Sequence, residues 1–203
     1  MAKRVLLICF LGLVFAFASA DHSPLQDFCV AQAGNPKTVQ ANDFSFSGLH
    51  LPENTPNPVG SEVTPETVTH LAGLKTLGIS MVRIDIAPWG INPPHTHSRA
   101  TEIWLVLEGT LEVGFITSNP DNRLNSKILQ KGDAFVSPQG LIHYQRNIGF
   151  GNAGTVAALG SQNPGVITIA NVVFGSMPDI SKDIFAKAFQ VDKTIVGKIQ
   201  SKF

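Results

Sequence analysis

The feature that most constrains this chain is its punctuation. From about Thr76 onward, short β-type runs follow one another, each ended within a few residues by Gly, Pro, Asn or Asp. "ISMVRIDIA" alternates apolar and polar residues, the pattern of a strand with one face on a core. "EIWLVLEGTLEVGF" is two apolar runs hinged at Glu108-Gly109-Thr110, where glycine can supply the positive φ of a tight hairpin. "AFVS", "IHYQRN", "TVAALG" and "GVITIANVVFG" read as further strands. Many short strands at this spacing predict an all-β fold, either a sandwich or a jelly-roll barrel.

The two ends read differently. Residues 21–60 are rich in Pro, Asn and Gly and predict an irregular arm lying on the surface. At the other end, "DISKDIFAKAFQ" and "DKTIVGKIQSKF" place Ile184, Phe185, Ala188 and Phe189, then Ile195, Val196 and Ile199, at helical spacing. Asp192 is the expected N-cap of the second helix. Such a pair either packs back on the barrel or reaches a neighbouring subunit. Residues 1–20 have the form of a secretory signal peptide: Lys3 and Arg4, an apolar run from Val5 to Phe17, and the small-residue site Ala18-Ser19-Ala20. The run is short for a bilayer span, so the expected mature chain is a single domain over 21–203, secreted. Cys29 is then its one cysteine, expected to be buried. Fifteen basic residues balance 15 acidic ones, which argues against nucleic acid or an anionic membrane as partner, since neither finds a basic face.

The chemistry is concentrated in "GINPPHTHSRATE". On a strand, residues two apart share a face, so His95 and His97 would enter a barrel together. Glu102 opens the next strand-like run and can turn back into the same space. His143 follows the turn "SPQGLIH" and opens another. Three imidazoles and one carboxylate form a ligand set without sulfur, suited to an octahedral divalent ion such as manganese or iron, with zinc, nickel and copper also open. His22, His50 and His70 lack metal-ligand spacing.

These motifs resemble those of the germin-like proteins of the cupin superfamily. "NPPHTHSRATEIWLVLEG" matches the first cupin motif with His95, His97, Glu102 and Gly109 in register, and "GDAFVSPQGLIHYQRN" matches the second with Gly132, Pro138, Gly140, His143 and Asn147. The similarity extends from Gln26 to Phe203 through "DFCVA", "TLGIS", "SQNPG" and "QSKF". The resemblance implies a cupin β-jelly-roll barrel with a C-terminal α-helical extension. It implies manganese held by His95, His97, Glu102 and His143, and a homo-oligomer, a hexamer of subunits in the plant cell wall or apoplast. The activity it points to is superoxide dismutase producing hydrogen peroxide, with Asn92 as a catalytic residue holding a bound oxygen species. A non-enzymatic wall or storage protein, or an oxalate oxidase, are the alternatives.

The chain also departs from the family pattern. The arm lacks the second cysteine that would pair with Cys29, and no Asn-x-Ser/Thr sequon is present. Trp89 stands where the family has the glycine that opens the first motif, and is expected on the barrel surface or at an interface. Trp104, two residues after Glu102, is expected to face the interior, either in the core or narrowing access to the metal. Oxalate oxidases of the family hold substrate with two asparagines; Asn92 matches one, and Val82 replaces the other. Valine cannot donate a hydrogen bond to a carboxylate, which weakens the oxalate oxidase reading.

Overall fold

The structure, a computed structural model, describes residues 39–203. The expected signal peptide over 1–20, Cys29 and the first half of the arm lie outside the described residues. Among the described residues, ten strands and three α-helices follow in order: β1 (Ser61–Glu66), β2 (Ser80–Ile86), β3 (Ile91–Thr96), β4 (Glu102–Glu108), β5 (Thr110–Ile116), β6 (Leu124–Gln130), β7 (Ala134–Ser137), β8 (His143–Asn147), β9 (Ala153–Leu159), β10 (Ile167–Thr168), α1 (Ile169–Phe174), α2 (Lys182–Phe189) and α3 (Lys193–Gln200). They form two five-stranded antiparallel sheets, ordered β1-β2-β9-β4-β7 and β10-β3-β8-β5-β6. This is a jelly roll: each sheet collects strands from distant parts of the chain.

Strand alternation builds the interior. In β4, Glu102, Trp104 and Val106 are buried while Ile103 and Leu105 are exposed. Ile84, Ile86, Leu111, Val113, Leu129 and Leu159 complete the core from both sheets. β2 is buried on both faces from Val82 to Ile86, because the segment before β1 covers its outer side. There Arg83 forms a bidentate pair with Asp85, Arg83 Nη1 donates to the Leu49 carbonyl at 2.9 Å, and the Glu53 amide donates to Asp85 Oδ2 at 3.0 Å. Both charges are paired and hydrogen-bonded, as burial demands.

Three strand expectations need correction. The turn at Gly109 exists, with φ +83, and a Cβ there would lie 2.5 Å from that of Ala153. It does not close a hairpin, however. β4 pairs with β7 and β9, whereas β5 pairs with β6 and β8, so the chain crosses from one sheet to the other at Gly109. "GVITIANVVFG" is not one strand: after Ile167–Thr168 it becomes helix α1. A short apolar run of β-branched residues fits a buried strand and a helix alike. β1 and β6 carry no strand signal in their sequences, "SEVTPE" and "LNSKILQ", yet both form. β1, "SEVTPE", is an edge strand, the position in which Pro65 is tolerated. The two C-terminal helices form as expected, and the Asp192 carboxylate accepts from the Thr194 amide at 2.7 Å, capping α3.

Trp89 is on the surface, half-exposed, and sits edge-on to Phe150 with ring centroids 5.7 Å apart. Its backbone is the more unusual feature. The Gly90 amide bonds back to the Ala87 carbonyl at 2.9 Å, closing a turn with Pro88 second and Trp89 third, and Trp89 has φ +63. That is the position a type II turn reserves for glycine. Replacing Trp89 by Gly and by Ala removes the same indole, so the two variants differ in backbone strain, offset in part by the greater freedom glycine loses on folding. The glycine variant is expected to be more stable by about 1 kcal/mol, read from urea midpoints. Equal midpoints would show that the strain is no larger than the freedom glycine loses on folding.

Candidate metal centre

β3, β4 and β8 bring the four candidate ligands to one end of the barrel. His95 is the penultimate residue of β3 and lies opposite His143, the first residue of β8. His97 lies one residue past β3, and Glu102 opens β4. All four are buried, and one ligand atom from each lies within 4.8 Å of every other. The imidazole centroids are 4.2 Å apart for His95 and His143, 5.3 Å for His95 and His97, and 5.4 Å for His97 and His143.

Each ring is turned by a backbone carbonyl at Nδ1: Pro93 for His95 at 2.7 Å, Gly165 for His97 at 2.5 Å, and Leu141 for His143 at 2.8 Å. A carbonyl only accepts, so Nδ1 carries the proton and a neutral ring keeps its Nε2 lone pair free. The Nε2 atoms of His143 and His97 lie 3.1 and 3.4 Å from Glu102 Oε2. Two acceptors that close repel unless a cation or a proton lies between them. Donor atoms each about 2.1 Å from one ion, at right angles, are about 3.0 Å apart, so the observed spacing suits a shared metal.

The electrostatics describe how protons occupy that role without metal. Burial would raise the Glu102 carboxyl, but hydrogen bonds from His143 and His97 outweigh it and bring it down to about 2. For His97, burial disfavours the charged ring, yet the Glu102 carboxylate more than offsets this and raises it. His95 is pushed down to about 4, first by burial and then by the neighbouring His143. The centre is therefore a carboxylate with imidazoles of opposite bias, and bound metal competes with protons.

A cavity of about 410 Å³ opens onto the cluster, walled by His95, His97, Glu102 and Asn92 at its base and by Val63, Pro65, Val82, Ile84, Leu159 and Val166 around it. Asn92 Nδ2 donates to Gln145 Oε1 at 2.7 Å, which fixes its amide plane at the cavity wall. Val82 lines the same cavity, so the replacement of an amide by an apolar group falls in the space above the cluster. Trp104 does not narrow access. It is buried behind His143 (centroids 5.4 Å apart), stacked on Phe135, and absent from the cavity wall. The sequence reading missed Gln145, although its place two residues after His143 on an inward-facing strand was a usable signal. It also missed Gly165 and the β1 wall, for which local pattern offers none.

A jelly roll with three histidines and one glutamate converging at one end defines the class: a cupin barrel with a metal-binding cluster. The cupin family matches residues 47–197. Germin-like protein 8-2 of Oryza sativa subsp. japonica is 56% identical over 213 residues, covering 98% of this chain and 96% of that protein. Germin-like protein subfamily 1 member 7 of Arabidopsis thaliana is 54% identical over 217 residues, covering 100% and 93%. Among solved structures, a recombinant oxalate oxidase in complex with glycolate superposes with a TM-score of 0.82 at 41% identity, covering 89% of this chain and 96% of that one. The chain belongs to the germin-like family.

Proposed function

We propose that this protein is a secreted, manganese-dependent superoxide dismutase of the apoplast, with His95, His97, Glu102 and His143 holding the ion. The observation that carries the metal reading is the set of three Nδ1–carbonyl bonds, which leave three Nε2 lone pairs free in one buried cluster, two of them facing the Glu102 carboxylate. When bound, a redox-active ion supplies the electron relay by which two superoxide ions and two protons become dioxygen and hydrogen peroxide. The chain's own residues orient and exclude. The carbonyls of Pro93, Gly165 and Leu141 hold the imidazoles in one tautomer. Asn92, locked by Gln145, presents a fixed polar group beside the cluster, where it orients a small oxygen species. The apolar walls limit bulk water at the centre.

Assembly of several copies is part of the same proposal. Met81, Ile103, Leu105 and Val136 form an exposed apolar strip on the outer face of the β1-β2-β9-β4-β7 sheet, and Ile184, Phe189 and Ile195 are exposed on α2 and α3. Apolar surfaces of this kind support burial against further copies, up to a hexamer.

Superoxide consumption by manganese-loaded protein, with metal-stripped protein as blank, tests the activity. Metal-dependent turnover that disappears in His95→Ala is expected; full manganese occupancy without turnover sinks the proposal. The similarity to oxalate oxidases supports a second reading, oxidation of oxalate. Val82 opposes it, and Val82→Asn is expected to raise peroxide release from oxalate at least about tenfold if one hydrogen bond to a charged group is what is missing. Oxalate turnover in the unaltered protein would reverse the ranking of the two.

A further inference from the structure

The cavity above the cluster is far larger than a diatomic ion needs, at about 410 Å³, and its walls differ in character from its base. Above His95, His97 and Glu102 the wall is mainly aliphatic, from Val63, Val82, Leu159 and Val166 among others. The other polar wall residues, among them Asn92 and Asn163, are neutral, and no lysine or arginine among the described residues lines the space. Volume of this order, with apolar walls and a few convergent polar groups at one end, is the form of a small-molecule site.

Charge narrows the class. A divalent ion with one carboxylate and three neutral imidazoles carries one net positive charge. A monoanion neutralises it. A dianion leaves an uncompensated negative charge in a space whose walls hold no cation, an arrangement burial penalises. We infer that the cavity is a subsite for an aliphatic monocarboxylate, its carboxylate at the His–Glu cluster and its carbon chain along Val63, Val82 and Val166. The inference rests on the metal-loaded reading above, and it adds an organic ligand class to it.

The test is calorimetric titration of manganese-loaded protein with acetate, butyrate, hexanoate and adipate. Each methylene that enters an apolar wall multiplies affinity about fourfold, so hexanoate, even with its four extra methylenes only partly covered, is expected to bind at least about thirtyfold more tightly than acetate. Adipate has the same length but ends in a second carboxylate, and is expected to bind at least about tenfold more weakly than hexanoate. The isosteric double variant Val63→Thr, Val166→Thr alters two partly exposed wall positions and is expected to cut the hexanoate gain at least about fivefold while leaving acetate unchanged. Hexanoate binding no tighter than acetate, or adipate equal to hexanoate, overturns the inference in the unaltered protein. The two readings fail separately. Superoxide turnover with a flat ligand series removes only the subsite; a graded series without turnover removes only the dismutase; no manganese uptake removes both.

Discussion

His143→Ala is expected to lower manganese affinity by more than about a hundredfold, because residues that merely orient ligands already account for tenfold to a hundredfold. His143 occupies the centre of the cluster. Its ring is the nearer neighbour of His95, its Nε2 lies 3.1 Å from Glu102, and its Nδ1 is held by the Leu141 carbonyl. Removing it withdraws a donor and one of the two imidazoles beside a carboxylate that is almost fully buried. The remaining His95, His97 and Glu102 lack the opposing side of the nest. Competition against a chelator of known affinity measures the change, and circular dichroism checks that the barrel persists. A loss of less than tenfold, with the fold intact, would remove His143 from the ligand set.

Protein stripped of metal is expected to lose about 3 kcal/mol of stability between pH 6.5 and about 4, because His95 resists protonation in the fold. Its folded value lies below the unfolded one, so in that window the unfolded chain binds more protons and stability falls with pH. His97 is shifted the opposite way: its contribution is complete below about pH 6.5 and is lost only as pH rises through its folded value, so it does not mask the slope. Glu102, depressed to about 2, contributes above about pH 4.5 and is lost as pH falls from there towards 2. Urea unfolding across the range measures the curve. His95→Asn should flatten the limb between pH 6.5 and 4 and leave the more acidic limb; an unchanged slope would show that His95 is not the group responsible.

The metal cluster was legible in the sequence because its donors lie at strand ends defined by local signals: the His95/His97 spacing, the turn before His143, the start of β4 at Glu102. The helices were legible for a similar reason, since Asp192 and the apolar spacing around Phe185 and Val196 act within a few residues. What local pattern could not supply was partnership between sheets. The turn at Gly109 looks the same whether the runs on either side pair with each other or leave for separate sheets, and only long-range pairing with β9 and β8 separates the two. β1 was missed because its pairing with β2 compensates for a composition, with Pro65 and two glutamates, that alone argues against a strand. Trp104 was placed on the correct face. Its distance from the cavity depends on Phe135 and His143 stacking around it, which spacing along one strand cannot express.

The three carbonyls that turn the histidines are not equivalent in chain order. Pro93 and Leu141 each sit two residues before the ring they orient, whereas Gly165 lies 68 residues beyond His97. As the chain emerges from the ribosome, all four donor side chains are therefore made well before the carbonyl that sets the third ring. A nascent chain ending before Gly165 has its complete set of donors and an imidazole still free to rotate. The third ring is set only by a loop that follows β9 in the chain, so a fully oriented set of donors requires the chain beyond β9 as well as the strands that carry them.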